Sequence, residues 1–186
     1  MRIQLSAISY QPSAKSGGFT LIETIMVMVI VAILAVVIVV RNPFDAIKLR
    51  SAARKVAGDI RYVQKLAISN QTRAGIVFTA TTYSVYANAT PPLAAANLAR
   101  SPGDPCSTDA ANNFIVDFND PRCSNYDGVQ ITIPPTTTNP FAFNSLGTPV
   151  DPTTGLALGS DQLITVTYNG SQQITIAAGT GRVSMP

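Results

Sequence analysis

The chain contains no histidine and no tryptophan, and its only cysteines are Cys106 and Cys123. Without histidine the commonest general base and metal ligand is missing, and two cysteines with no further ligand type beside them do not make a tetrahedral metal site. No phosphate-cradling Walker loop and no G-x-S-x-G nucleophile turn occurs, and Gly155-Leu156-Ala157-Leu158-Gly159 is too sparse for a nucleotide loop. These absences argue against an enzyme, and no cofactor and no metal are expected. Charge is scarce as well. Charged residues make up 12% of the chain, about half the share of an ordinary soluble domain. The net charge of +3 is too small to indicate nucleic-acid binding by itself. Asp117, Asp120 and Asp127 form a loose acidic group whose spacing fits no calcium loop, and they read as turn aspartates.

What the chain does have is a long apolar run from Phe19 to Val40, in which residues Ile25 to Val40 carry no polar side chain. That length suffices for the ~20 residues with which a helix crosses a hydrocarbon core. In lipid the backbone must satisfy its own hydrogen bonds, so a run rich in Val and Ile is helical there. Glu23 lies near its start. A carboxylate at membrane depth costs about 2–3 kcal/mol or more, which makes such a residue a functional candidate. The preceding residues 1–18 carry Arg2 and Lys15, no acid and no apolar core. A secretory signal places its apolar core before the cut. A cut after Gly18 would instead leave the core in the mature chain as an anchor, with Arg2 and Lys15 on the cytoplasmic side and Arg41 marking the outer boundary. The expected organisation is a cleaved leader over 1–18, a transmembrane helix over 19–40, an amphipathic continuation over 41–73 and a periplasmic β-rich head over 74–186.

Asn42-Pro43 interrupts the helix, because proline removes a donor and clashes one turn back. Beyond it Ile47, Ala52, Val56, Ile60, Val63 and Ala67 recur at helical spacing and predict a core-facing stripe ending near Asn70. Basic residues crowd the rest of that helix, as a solvated face or as a contact for acidic heads or lipid headgroups. From Ala74 onward three arginines stand against seven aspartates, so a basic rod leads into an acidic head. Alternation predicts strands at Ile76–Phe78, Tyr83–Tyr86, Phe114–Phe118 and Val129–Ile133. Two more, Leu163–Tyr168 and Gln173–Ala177, flank an Asn169-Gly170 turn. Pro91–Pro105 and Pro134–Pro140 read as long loops. Cys106 and Cys123 lie in loop-rich sequence: in an exported protein they are expected to form a disulfide, in a cytosolic one to be free thiols.

Gly18-Phe19-Thr20-Leu21-Ile22-Glu23 resembles the processing motif of type IV pilins and of type II secretion pseudopilins. The resemblance implies cleavage after Gly18 by a membrane prepilin peptidase, N-methylation of Phe19, and pairing of Glu23 with the amino terminus of a neighbouring subunit during assembly. It also implies a pilin-like α+β fold, with a long N-terminal helix packed on an antiparallel β-sheet head. A second resemblance covers the end of the chain. Phe141-Ala142-Phe143, Leu146-Gly147 and Gly179-Thr180-Gly181-Arg182-Val183 are similar to the GspH/FimT pilin-like group. That resemblance implies an H-type pseudopilin of a type II secretion pseudopilus, or alternatively a FimT-like minor type IV pilin in pilus biogenesis or DNA uptake. The implied partners are the peptidase, other pilin or pseudopilin subunits, the inner membrane, and secreted substrates or DNA. Arg182 is the one candidate DNA contact. Ser184 stands where a second arginine would strengthen it, and a single phosphate contact adds little affinity.

Overall fold

The computed structural model describes residues 18, 20–40, 43–91, 93–107, 109 and 111–186, with the side chains of 36–40, 43 and 105 outside that description. Residues 1–17 of the leader, Phe19, Arg41 and Asn42 therefore lie outside the described residues. The chain divides into two units at Asn42.

The first unit contributes one helix, α1 (Leu21–Val40). Thr20 starts it: its carbonyl accepts from Glu23 N at 3.0 Å and Thr24 N at 3.1 Å, and its hydroxyl accepts from Glu23 N at 3.3 Å. This is N-cap chemistry, which satisfies one of the donors that the first turn leaves orphaned. Leu21, Ile22 and the other described apolar side chains of α1 are exposed. Among the described residues no helix is long and apolar enough to cross a membrane. The described side chains of α1 stop at Ala35, short of the span that the sequence suggests over 19–40.

The second unit opens with α2 (Pro43–Asn70). Its buried face is Leu49, Ala52, Ala53, Val56, Ala57 and Ile60, continued by Val63 and Ala67. Ile47, expected in that stripe, is 62% exposed, and Leu49 takes the core position instead. The stripe drifts around a 3.6-residue helix, so its first turn faces elsewhere.

Two antiparallel sheets pack on α2, where one small sheet was expected. The five-stranded sheet runs in the order β3 (Ile115–Asp117), β2 (Thr82–Tyr86), β1 (Ala74–Phe78), β5 (Phe141–Phe143), β6 (Pro149–Val150). The four-stranded sheet runs β4 (Gln130–Thr132), β7 (Gln162–Thr167), β8 (Ser171–Ile176), β9 (Val183–Ser184). β1 occupies the middle of its sheet, pairing Ile76 with Val85 on one side and with Phe141 on the other. Phe78, Tyr83, Phe118, Phe141 and Phe143 form a chain of ring contacts with centroids 5.6–6.2 Å apart, and they fill the space between this sheet and the helix. The β7–β8 hairpin closes at Thr167–Ser171 with Asn169 at φ +46°, a backbone region that asparagine tolerates better than most residues.

Candidate functional site

Thr20 and Glu23 sit three residues apart at the start of α1, the spacing of a capping box. The Glu23 side chain is exposed, within the first turn, where the helix dipole favours an anion. Gly18 is exposed, with no atom within 4 Å of where a side chain would begin. Phe19 lies outside the described residues.

In the head, Cys106 and Cys123 are bonded, with Cα atoms 4.9 Å apart. Each sits in a short 3-10 turn, Pro105–Ser107 and Pro121–Tyr126 respectively. Their loop is anchored to α2 by a polar cluster. Lys55 Nζ donates to Asp104 Oδ2 at 2.7 Å, to Ser107 Oγ at 2.7 Å and to Asp59 Oδ2 at 3.1 Å. The Tyr83 hydroxyl, from β2, donates to the same Asp59 oxygen. The Lys55 and Asp59 side chains are only 9% and 15% exposed. Burial pulls the Lys55 ammonium down, but the charges and hydrogen bonds of Asp59 and Asp104 together hold it above its ordinary value. Burial, reinforced by the Asp59 charge, pushes the Tyr83 phenol well above its usual range. This cluster is not apparent from sequence. Lys55 and Asp59 look like an exposed i,i+4 pair, and nothing local says that Asp104 arrives from 49 residues away.

Two of the three turn aspartates, Asp117 and Asp120, are satisfied locally. Asp117 accepts from Asn119 N at 2.9 Å. Asp120 caps its 3-10 turn through Arg122 N at 2.8 Å and pairs with the Arg122 guanidinium at 2.7 Å, which holds its carboxyl down at about 2. Among the described residues no group of three or more candidate ligands could hold a metal.

The Thr180–Val183 segment lies against α2. Gln64 Nε2 donates to the carbonyls of Gly147, at 2.8 Å, and Thr180, at 3.5 Å, while Arg61 Nη2 donates to Val183 O at 3.0 Å. Gly181 has φ +65°, and a side chain there would run into Gly147 O, Gln64 and Phe143. Gly181 is therefore a packing requirement, whereas Gly147, at φ +81°, is a backbone one. The Arg182 side chain is exposed.

Residues 13–39 match the family described as the prokaryotic N-terminal methylation motif. No curated protein matches the chain. Among solved structures, the chain resembles the type IV minor pilin FimU of Pseudomonas aeruginosa (strain PAO1) in two crystal forms. One, in space group P65, is 18% identical over 74% of this chain and 92% of that one, with a TM-score of 0.46. The other, in space group P21, is 16% identical over 76% of this chain and 90% of that one, with a TM-score of 0.48. The methylation motif thus runs into α1, and an α+β fold follows it.

Proposed function

We propose that the protein is a minor pilin-like structural subunit, anchored in the bacterial inner membrane through residues 19–40 and assembled into a filament with its head in the periplasm. The finer reading is an H-type pseudopilin of a type II secretion system, whose filament drives protein export. The observation that carries the proposal is the methylation motif over residues 13–39, with Gly18 before and Glu23 within the first turn of an apolar helix. Prepilin peptidase cuts after Gly18, and the new amino group on Phe19 is methylated. Glu23 then pairs with the amino terminus of an adjacent subunit, because a carboxylate in hydrocarbon is tolerated best beside a cation. The disulfide and the Lys55 cluster support this reading, since they give an exported head two independent ties for one long loop.

Mass spectrometry of membranes from cells with an active peptidase tests it: the expected mature chain begins at N-methylated Phe19. Persistence of residues 1–18 overturns the reading. Deletion of the gene then separates the finer alternatives. Lost export of secreted proteins supports the pseudopilin. Intact export with lost pili or lost DNA uptake supports a FimT-like minor pilin instead.

A further inference from the structure

α2 carries a basic seam on the side away from the core. Arg50, Arg54, Arg61 and Lys65 are all exposed and spaced four, seven and four residues apart, which puts them on one helix face about 22 Å long. Gly58 lies between them, exposed, with nothing within 4 Å of where its side chain would begin. The seam is thus bare at its centre, so another backbone can approach closely there. Both ends are apolar: Ile47 is 62% exposed and Ile68 43% exposed, and with Arg54 and Arg61 they fall at intervals of seven. Spacings of three, four and seven are those with which one helix meets another.

Neither acid of α2 belongs to this face. Asp59 is buried under Lys55 and Tyr83, and Asp45 accepts from the Asn169 amide at 3.0 Å. Among the described residues Arg50, Arg54, Arg61 and Lys65 make no ion pair. Arg50 and Arg54 border a cavity of about 380 Å³ whose other walls are Gln172, Met185 and Pro186. That end of the seam is therefore one side of a trough, with Gln172 of β8 and the residues after β9 as the other.

We infer that this seam docks an acid-rich helix of a different subunit in the filament, with an apolar side chain near each end to meet Ile47 and Ile68. The inference rests on the pilin-like reading above. A second copy of the chain offers no such helix: its α2 would oppose arginine to arginine, and Asp104, Asp109, Asp120 and Asp151 of its head are taken up by donors of their own subunit. A nucleic acid fits less well than a helix. Its phosphates would meet the four cations, but its uniform charge gives the terminal isoleucines nothing to pack against.

The test uses the full chain in cells whose export or pilus activity is intact, with p-benzoylphenylalanine in place of Ile68, the exposed apolar end of the seam, for photocrosslinking and with the acceptor peptide mapped by mass spectrometry. The expected acceptor is an acid-rich helical segment of another filament subunit. Arg50→Glu combined with Arg54→Glu lowers the crosslink yield at least tenfold, while Arg100→Glu, an exposed arginine outside the seam, leaves it unchanged. A crosslink to a second copy of this chain, to nucleic acid or to lipid overturns the inference, as does no crosslink, or a yield indifferent to the double charge reversal. The mature amino terminus is read from the same membranes. Its presence at Phe19 with no seam crosslink removes the docking inference and leaves the subunit reading standing.

Discussion

Lys55 is held between two carboxylates and a hydroxyl, almost out of water. Replacing it by methionine preserves the packed stem and strands Asp59 beneath Tyr83. Breaking a buried pair from one side costs about 3 kcal/mol or more. Denaturant melts of the full chain in detergent should show that loss for Lys55→Met. Asp104→Asn should cost only about 1 kcal/mol, because Asp104 is 43% exposed and water screens its share of the pair. The same cluster sets an alkaline limit. Lys55 has a folded value above its ordinary 10.5, so its contribution is complete below that pH and is lost as pH climbs through the raised value. Tyr83 has a folded value well above 10.0, so the unfolded chain ionises first and is favoured as pH passes that point. Both signs agree. Melting temperature should hold steady up to about pH 10 and then fall, and Tyr83→Phe should flatten part of the fall while lowering stability at neutral pH by about 1–2 kcal/mol. A melting curve that keeps its height above that pH would show that the cluster carries no such weight. None of this was legible from the one-dimensional pattern, which shows a lysine four residues before an aspartate and takes both for solvent-facing.

Among the elements, those with a local signature were the legible ones. The β1–β2 hairpin and the β7–β8 hairpin announce themselves by alternation on either side of turn residues, and α2 by its 3.6-residue apolar period. β6 and β9 are two residues each, too short for any period, and both exist because a neighbouring strand offers an edge. β5 reads Phe141-Ala142-Phe143 with all three positions buried, so there is no alternation to see. The division into two sheets is a long-range outcome that no single segment encodes. The glycine of the Thr180-Gly181-Arg182 turn shows what a short motif can mean at this scale. With φ +65° and contacts to Gly147, Gln64 and Phe143, Gly181→Ala combines a left-handed backbone penalty with a collision against a main-chain carbonyl. It should cost about 2–4 kcal/mol by the range for strained and overpacked sites, whereas Gly179→Ala, with open space around it, should cost well under 1 kcal/mol. Thermal melts of the two variants side by side provide the check, and equal losses would mean that the turn is not the tight contact described here.

At the scale of the whole molecule, the N-terminal segment is the most legible in sequence because the proposed lipid environment would constrain it so strongly. Few residue orders place a glycine, a helix cap and one carboxylate at the head of an apolar run, and that order carries the family resemblance. Head function is less legible, since it depends on surfaces assembled from separated segments, such as the seam on α2 beside β9. Glu23 offers the sharpest test of the assembly proposal, because one variant separates its local place at the helix start from its proposed pairing. As the third helical residue after Thr20 it can complete a capping box, a role that glutamine also fills. In the proposed membrane span its charge would carry a penalty of about 2.5–3.5 kcal/mol that only a cationic partner offsets, a role that glutamine does not fill. Glu23→Gln therefore keeps the cap and removes the charge. If pairing with a neighbouring amino terminus drives assembly, this variant should still be cut after Gly18 and retained in membranes. Its incorporation into filaments should fall at least tenfold, the ratio that about 1.4 kcal/mol supports. Glu23→Asp keeps the charge on a shorter stem and should fall between the two. Immunoblots of sheared filament against membrane fractions measure all three chains together. Normal incorporation of the glutamine variant would leave helix capping as the sole use of Glu23 and would remove charge pairing from the mechanism.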